Sequence, residues 1–262
     1  MKALSTAATG MSAQEMNVEV ISNNIANMTT TGFKAQRVEF QDLLYQDMRE
    51  PGSNSSDSGT IVPSGLQQGL GVKTAGIYRT DGQGNLQQTG NTLDMAINGS
   101  GWFQITLPSG QTAYTRDGTF SLAPDGTIVT ADGYVVQPGI QIPTNANNVT
   151  INASGQVEVT VAGQTAPSTV GQLQLATFPN DAGLAAQGGN LFVQTAASGD
   201  PVTGVPGSTG FGTAMQGYLE NSNVNVVSEM TNLISAQRAY EMNSQVISSS
   251  NEMLSTLTQL RS

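Results

Sequence analysis

The chain has no cysteine and no histidine. The first absence removes thiol nucleophiles and disulfide support, and the second removes the commonest general base and metal ligand. Charge is scarce as well: Asp, Glu, Lys and Arg make up 11% of the 262 residues, under half of the usual ~25%. No Lys or Arg lies between Arg116 and Arg238, and the net charge is −10. Nucleic acid needs a basic face that this chain lacks, and a phosphate-binding surface in its middle is excluded. One Trp and 5% aromatics leave few platforms for stacking sugar rings. No run approaches the ~18 apolar residues of a membrane span. Lys2 is followed by no continuous apolar core, since Gly10 and Ser12 interrupt it, so a Sec-type leader is not expected. A protein of this composition that leaves the cytoplasm is expected to do so without a cleaved leader. The lack of cysteine suits work outside the cytosol.

Asn, Gln, Ser and Thr take the place of charge. Such a surface approaches copies of itself without large repulsion. The two ends of the chain supply the means. Leu4, Met11, Val18 and Ile25 stand seven apart, and Ala7, Gln14, Ile21 and Met28 repeat the interval. Two interleaved seven-residue series place an apolar seam along one side of a helix. A lone helix of this size is marginal in water, so the seam needs a partner. Val226, Leu233, Tyr240, Ile247 and Leu254 form a matching series at the far end, widened by Met230, Val246, Met253 and Leu260. Gly and Pro are absent from Val224 onward. The expected fold class is α+β: N- and C-terminal helices packed as a coiled-coil-like pair, with an antiparallel β-rich insert between them. The assembly seam is assigned to Leu4, Met11, Val18, Ile21, Ile25, Val226, Leu233, Tyr240, Ile247 and Leu254.

Between the ends the composition divides the chain into an N-terminal helix (1–33), a connecting segment with an extended arm (34–69), a β-rich outer domain (70–211), a return connection (212–223) and a C-terminal helix (224–262). The first helix is expected to stop near Asn27 to Gly32. Asn23, Asn24 and Asn27 there serve either helix termination or a specific contact. Phe33 to Tyr45 reads as an extended or partly helical lead-out. The Ser- and Gly-rich stretch within Gln46 to Gln68 reads either as a surface loop or as an arm that orders against a neighbouring subunit. From Leu70 the runs GLGVKTAGIYRT, LDMAI and GWFQITL alternate as strands do. Asp117-Gly118, Asp125-Gly126 and Asp132-Gly133 are expected to turn hairpins, because both residues tolerate positive φ. VTINASGQVEVTV is a further hairpin, and GQLQLATF and NLFVQT supply closing strands.

No constellation points to catalysis. The three Asp-Gly aspartates fall seven or eight residues apart, whereas a calcium loop of the EF-hand kind gathers its oxygens within about a dozen residues. No Glu/Asp pair is marked out for glycoside hydrolysis. Glu15 and Glu19 occupy the polar face of the first helix, where a membrane-surface helix carries Lys and Arg. Neither an enzymatic activity nor a cofactor or metal is expected.

The sequence resembles a family. Ser22-Asn23-Asn24-Ile25-Ala26-Asn27 followed by Thr31-Gly32-Phe33-Lys34 is similar to the N-terminal signature of bacterial flagellar rod and hook proteins, and GYLENSNVNVVSEMTNLISAQRAYEMNSQVI to their closing signature. GNTLDMAINGSGWFQI and YTRDGTFSLAPDGTIVTADGYVVQP resemble their shared core. Length, a single insert and the arm are most like the distal-rod branch. The resemblance implies a structural axial subunit of the flagellar basal body, passed out unfolded by the flagellar type III export apparatus. It implies helical polymerisation into a rigid, periplasm-spanning rod, a drive shaft that carries torque from motor to hook for motility. Implied partners are further copies of the chain, the proximal rod and hook proteins at the two ends, and the peptidoglycan- and outer-membrane-associated ring proteins. From another class, an extracellular β-rich adhesin or binding module with helical termini fits the composition; it should be a soluble monomer with a defined pocket.

Overall fold

The computed structural model describes residues 2–49, 64–161 and 166–261. Contacts gather the chain into two compact units, one of residues 1–25, 36–78 and 226–262, the other of 26–35 and 79–225. The class is α+β, with a helix at each end and antiparallel strands between.

The first unit holds α1 (Lys2–Ala26), four strands and α2 (Val226–Arg261). No Pro interrupts α1, and it stops where Thr29, Thr30 and Thr31 crowd the backbone and Gly32 takes a φ of 67°. Asn24 is a specific contact rather than a helix terminator. It is buried, its Nδ2 donates to the Gln36 carbonyl at 2.7 Å, and its Oδ1 accepts the Gln36 N–H at 2.8 Å. That double bond satisfies both backbone groups where β1 (Gln36–Asp42) begins. β2 (Tyr45–Arg49) pairs with β3 (Leu66–Gly69), with Gln46 opposite Gln68. These two strands are the stem of the expected arm; residues 50–63 lie outside the described residues.

β4 (Val72–Arg79) pairs with β1. The contact boundary therefore differs from the compositional one, which opened the β insert near Leu70. The reason lies in β4 itself: neither face is buried along its length, so it brings no side chains suited to a sandwich core.

Among the described residues the second unit holds sixteen short strands. They are β5 (Leu86–Gln88), β6 (Met95–Asn98), β7 (Trp102–Thr106), β8 (Thr112–Thr115), β9 (Phe120–Leu122), β10 (Ile128–Thr130), β11 (Val135–Val136) and β12 (Ala146–Ile151). There follow β13 (Gln156–Val161), β14 (Ser168–Gln172), β15 (Leu175–Thr177), β16 (Ala185–Gly188), β17 (Leu191–Val193), β18 (Val202–Gly204), β19 (Thr213–Gln216) and β20 (Tyr218–Glu220). A nine-stranded antiparallel sheet runs β16-β17-β8-β7-β11-β10-β9, and β15 bridges β7 to β18. β12, β13 and β14 form a separate three-stranded sheet.

The core is made by side chains that alternate along the strands. Phe103, Ile128, Val136, Val157, Val159 and Leu175 belong to the largest apolar cluster, in which Phe103 meets Phe120 edge-to-face at 5.1 Å. Trp102, one residue from Phe103, points the other way into a smaller cluster with Tyr114 and Phe178. Burying both faces of β7 is what makes it central. Each such aromatic contributes on the order of 1.5–3 kcal/mol by burial.

Two of the three Asp-Gly pairs turn hairpins. The Gly126 N–H donates to the Ala123 carbonyl and the Gly133 N–H to that of Thr130, with φ of 83° at both glycines. The aspartates keep negative φ, so the turn is a four-residue one ending in a left-handed glycine, not a two-residue one with both residues left-handed. Asp117-Gly118 differs: Gly118 has negative φ and turns nothing. A Cβ there would sit 1.5 Å from the Met95 carbonyl oxygen, and the Met95 N–H donates to the Gly118 carbonyl at 3.0 Å. Glycine is required by the approach of β6, not by a turn.

The return connection is part of the sheet architecture. β19 pairs with β6 and β20 with β5. Residues 26–35 also belong to this unit. The Gly32 N–H donates to the Glu220 carbonyl at 2.8 Å, and the Ala35 N–H to Asn223 Oδ1 at 2.7 Å.

Candidate assembly site

On α2, Val226, Glu229, Leu233, Ala236, Asn243, Ile247 and Ser250 are wholly or partly sheltered, and 229, 236, 243 and 250 form a strict seven-residue series. These positions hold small or polar residues, which lets a neighbouring helix approach. On α1, a Cβ added to Gly10 would meet Asn243 Nδ2 at 2.9 Å. Six other apolar side chains of α2 lie elsewhere. Val227, Met230, Ile234, Met242, Val246 and Met253 are between 45% and 76% exposed. At 100° per residue Val227, Met230, Ile234 and Met242 fall on the side away from the sheltered series, and Val246 and Met253 on its flank.

The assigned seam residues divide accordingly. Ile21 is buried; Leu4, Met11, Val18, Ile25, Val226, Leu233 and Ile247 are half-buried; Tyr240 and Leu254 are exposed. Ile21 and Ala236 line one groove between the helices, together with Gln14 and Asn17. Val18 and Tyr240 line a second, of about 640 Å³, together with Glu15, Glu19, Gln237 and Glu241. The structure thus brings Val18 and Tyr240 to one place and leaves Leu254 facing solvent.

The sequence reading missed an ionic centre in the second unit. Lys34 Nζ donates to Glu220 Oε1 at 2.6 Å and to the Gly82 carbonyl at 2.9 Å. Arg116 Nη1 lies 3.2 Å from Glu220 Oε2, and the Gly84 N–H donates to Glu220 Oε1 at 2.9 Å. The Lys34 and Glu220 side chains are 1% exposed and that of Arg116 is 7%. Burial pushes the Lys34 ammonium below its ordinary range, against the pull of Glu220. Burial likewise lowers Arg116 and raises the Asp81 carboxyl, the latter against Arg79. Arg79 stacks on Phe192 at 4.2 Å and donates to the Asp181 carbonyl, while Trp102 Nε1 donates to Asp181 Oδ1 at 2.9 Å. The residue types alone gave no signal for this centre; the one available clue was that Lys34 and Glu220 fall inside the two signature stretches at opposite ends of the chain.

No group of three or more His, Cys, Asp or Glu among the described residues is placed to hold a metal ion. No helix among them is long and apolar enough to cross a membrane.

Comparison with known proteins agrees with this architecture. Residues 4–34 match the model of flagella basal body rod proteins, 96–159 that of the flagellar hook protein FlgE/F/G D1 domain, and 215–260 that of the flagellar basal body rod FlgEFG protein C-terminal region. The flagellar basal-body rod protein FlgG of Caulobacter vibrioides is 59% identical over 262 residues, covering 100% of both chains. The protein of the same name from Agrobacterium fabrum is 52% identical over 258 residues, 98% of each chain. That of Buchnera aphidicola (from Acyrthosiphon pisum) is 50% identical over 252 residues, 96% of each. On whole-length identity of this order, carried by both helical ends and the sheet between them, the chain belongs to the flagellar basal-body rod protein FlgG family.

Proposed function

We propose that the chain is a structural subunit of the flagellar basal-body rod that polymerises helically with copies of itself into the rigid distal rod, the shaft carrying torque from motor to hook. The observation that carries this reading is the outward stripe of α2, from Val227 at 76% exposed to Met253 at 60%. An isolated subunit gains nothing from holding large apolar side chains in water, and a stacked one buries them. In the polymer, residues 1–33 and 224–262 pair lengthwise in coiled-coil fashion as the inner layer. Residues 70–211 form the outer layer, 34–69 supply the arm, and 212–223 return the chain. The seam residues, including exposed Tyr240 and Leu254, are then contacts between copies. The proximal rod and hook proteins meet the two ends, and the surrounding ring proteins meet the outer layer. The chain reaches this site through the flagellar type III export apparatus. The names of its relatives, rod and hook-basal-body proteins, support a structural rather than an enzymatic role.

Electron microscopy of the purified full chain at rising concentration tests the reading. Straight tubes above a critical concentration are expected. A protein that stays monomeric at every concentration overturns it.

A further inference from the structure

We infer that the groove between α1 and α2 lined by Glu15, Val18, Glu19, Gln237, Tyr240 and Glu241 receives Arg238 from the α2 of a second copy. The inference rests on the homopolymer reading and names one of its contacts.

The groove has an apolar floor and an acidic rim. Val18 is half-buried and Tyr240 is 44% exposed, while Glu15, Glu19 and Glu241 are exposed. None of the three carboxylates takes part in an ion pair among the described residues. Such a site suits a cation carried on an apolar mount. A chain with 9 basic residues offers few candidates. Arg238 is exposed and forms no ion pair among the described residues. It stands in the middle of the outward stripe, four residues from Ile234 on one side and four from Met242 on the other. On a helix those three are vertical neighbours, so the guanidinium projects between two exposed apolar side chains, 51% and 64% exposed. Ile234 and Met242 match the floor of Val18 and Tyr240, and the guanidinium matches the rim. Arginine suits this role because its planar fork binds carboxylates in pairs and its stem packs on aromatic rings.

Arg238 stands beside the groove, not in it, because Glu241 of the rim lies one turn along the same helix. Joined head to tail, knob to groove, such a contact is heterologous, and each copy keeps one free groove and one free arginine after joining its neighbour. Such contacts do not stop at a dimer; they close into rings or continue as helices. Opposite charge also fixes the register of an otherwise greasy stripe, since like-charge juxtaposition is strongly penalised.

The test is a charge exchange in the full chain, read by sedimentation and electron microscopy. Arg238→Glu alone, and Glu15→Arg with Glu19→Arg alone, should each raise the critical concentration by about tenfold or more. Combining all three substitutions in one chain should restore assembly. So should mixing the two variant proteins, in which every groove finds a knob of opposite charge. The mixture guards against a triple variant that fails to fold, and Trp102 fluorescence verifies the second unit in every protein. If folded single variants polymerise like wild type, or if neither the triple variant nor the mixture recovers, the groove does not take Arg238. The homopolymer reading survives that result as long as wild type forms tubes. A wild type that never polymerises removes both.

Discussion

Lys34 Nζ and Glu220 Oε1 lie 2.6 Å apart across 186 residues of sequence, with both side chains 1% exposed. Arg116 completes a buried triad of two cations around one carboxylate. The members are not equivalent. Glu220→Gln takes from two buried cations the carboxylate they share and leaves only the more distant Asp81 and Asp181, and breaking a buried pair in this way costs about 3–5 kcal/mol. Lys34→Met leaves Glu220 with Arg116 and an apolar stem in place of the ammonium, so its loss should be distinctly smaller. Urea denaturation followed by Trp102 fluorescence measures both. Equal losses would show that the carboxylate does not hold the centre together.

Gly118 and Gly133 separate two reasons for glycine. A Cβ at Gly118 collides with the Met95 carbonyl at 1.5 Å, whereas Gly133 has open space around it and only its φ of 83° to satisfy. Gly133→Ala should therefore cost about 1–2 kcal/mol, the ordinary left-handed penalty. Gly118→Ala must push β6 aside and should destabilise the unit well beyond that, or prevent its folding. Thermal melting of the two variants gives the order.

Asp125 provides a pH prediction. The Thr127 hydroxyl, at 2.6 Å, and the Thr127 N–H, at 3.1 Å, both donate to Asp125 Oδ1, and they hold its carboxyl below the ordinary 3.8. A carboxyl lowered in the folded state contributes stability above its unfolded pKa, and loses that contribution as pH falls through the folded value. Thr127→Val removes the hydroxyl and keeps the N–H. The Asp125 pKa should then rise toward 3.8, with the variant converging on wild type only at acid pH. Carboxyl NMR titration reads it directly.

Ile21 and Leu254 both sit on assigned seams, but one is 4% exposed and the other 39%. Ile21→Ala should destabilise the helical unit by about 2–5 kcal/mol, as core truncations do. Leu254→Asp should leave the subunit's stability within about 0.5 kcal/mol, as surface changes do, yet block polymerisation. Circular dichroism of the monomer and pelleting of the polymer distinguish the two effects.

The sequence disclosed periodicity better than it disclosed orientation. The seven-residue spacing along both ends was plain, as were most strands and the hairpins at Asp125-Gly126 and Asp132-Gly133. How deeply each position is sheltered was not: Val226, Leu233 and Ile247 are half-buried, Tyr240 and Leu254 exposed. Apolar bulk drew attention to Tyr240 and Leu254, while the sheltered series of α2 runs through Ala236, Asn243 and Ser250, whose small or polar side chains announce no core. Gly118 looked like its two neighbours because the dipeptide is the same; only the approach of Met95 tells them apart. Lys34 and Glu220 were invisible as a pair because nothing local relates residues 186 apart. Such a contact is a property of the closed fold, not of any window of sequence.

That separation has a consequence for how a copy is made. Residues 26–35 form part of the second unit, yet their partners Glu220 and Asn223 come from near the other end of the chain. A chain emerging N-terminus first presents Lys34 and Arg116 long before the carboxylate they share. Contacts of long separation form late and slow the whole process. Once Glu220 arrives, the same event supplies the carboxylate that both cations share and docks β20 on β5. A copy broken off before residue 220 never reaches that point. It lacks both β20 and the carboxylate that Lys34 and Arg116 share, and so cannot close the second unit.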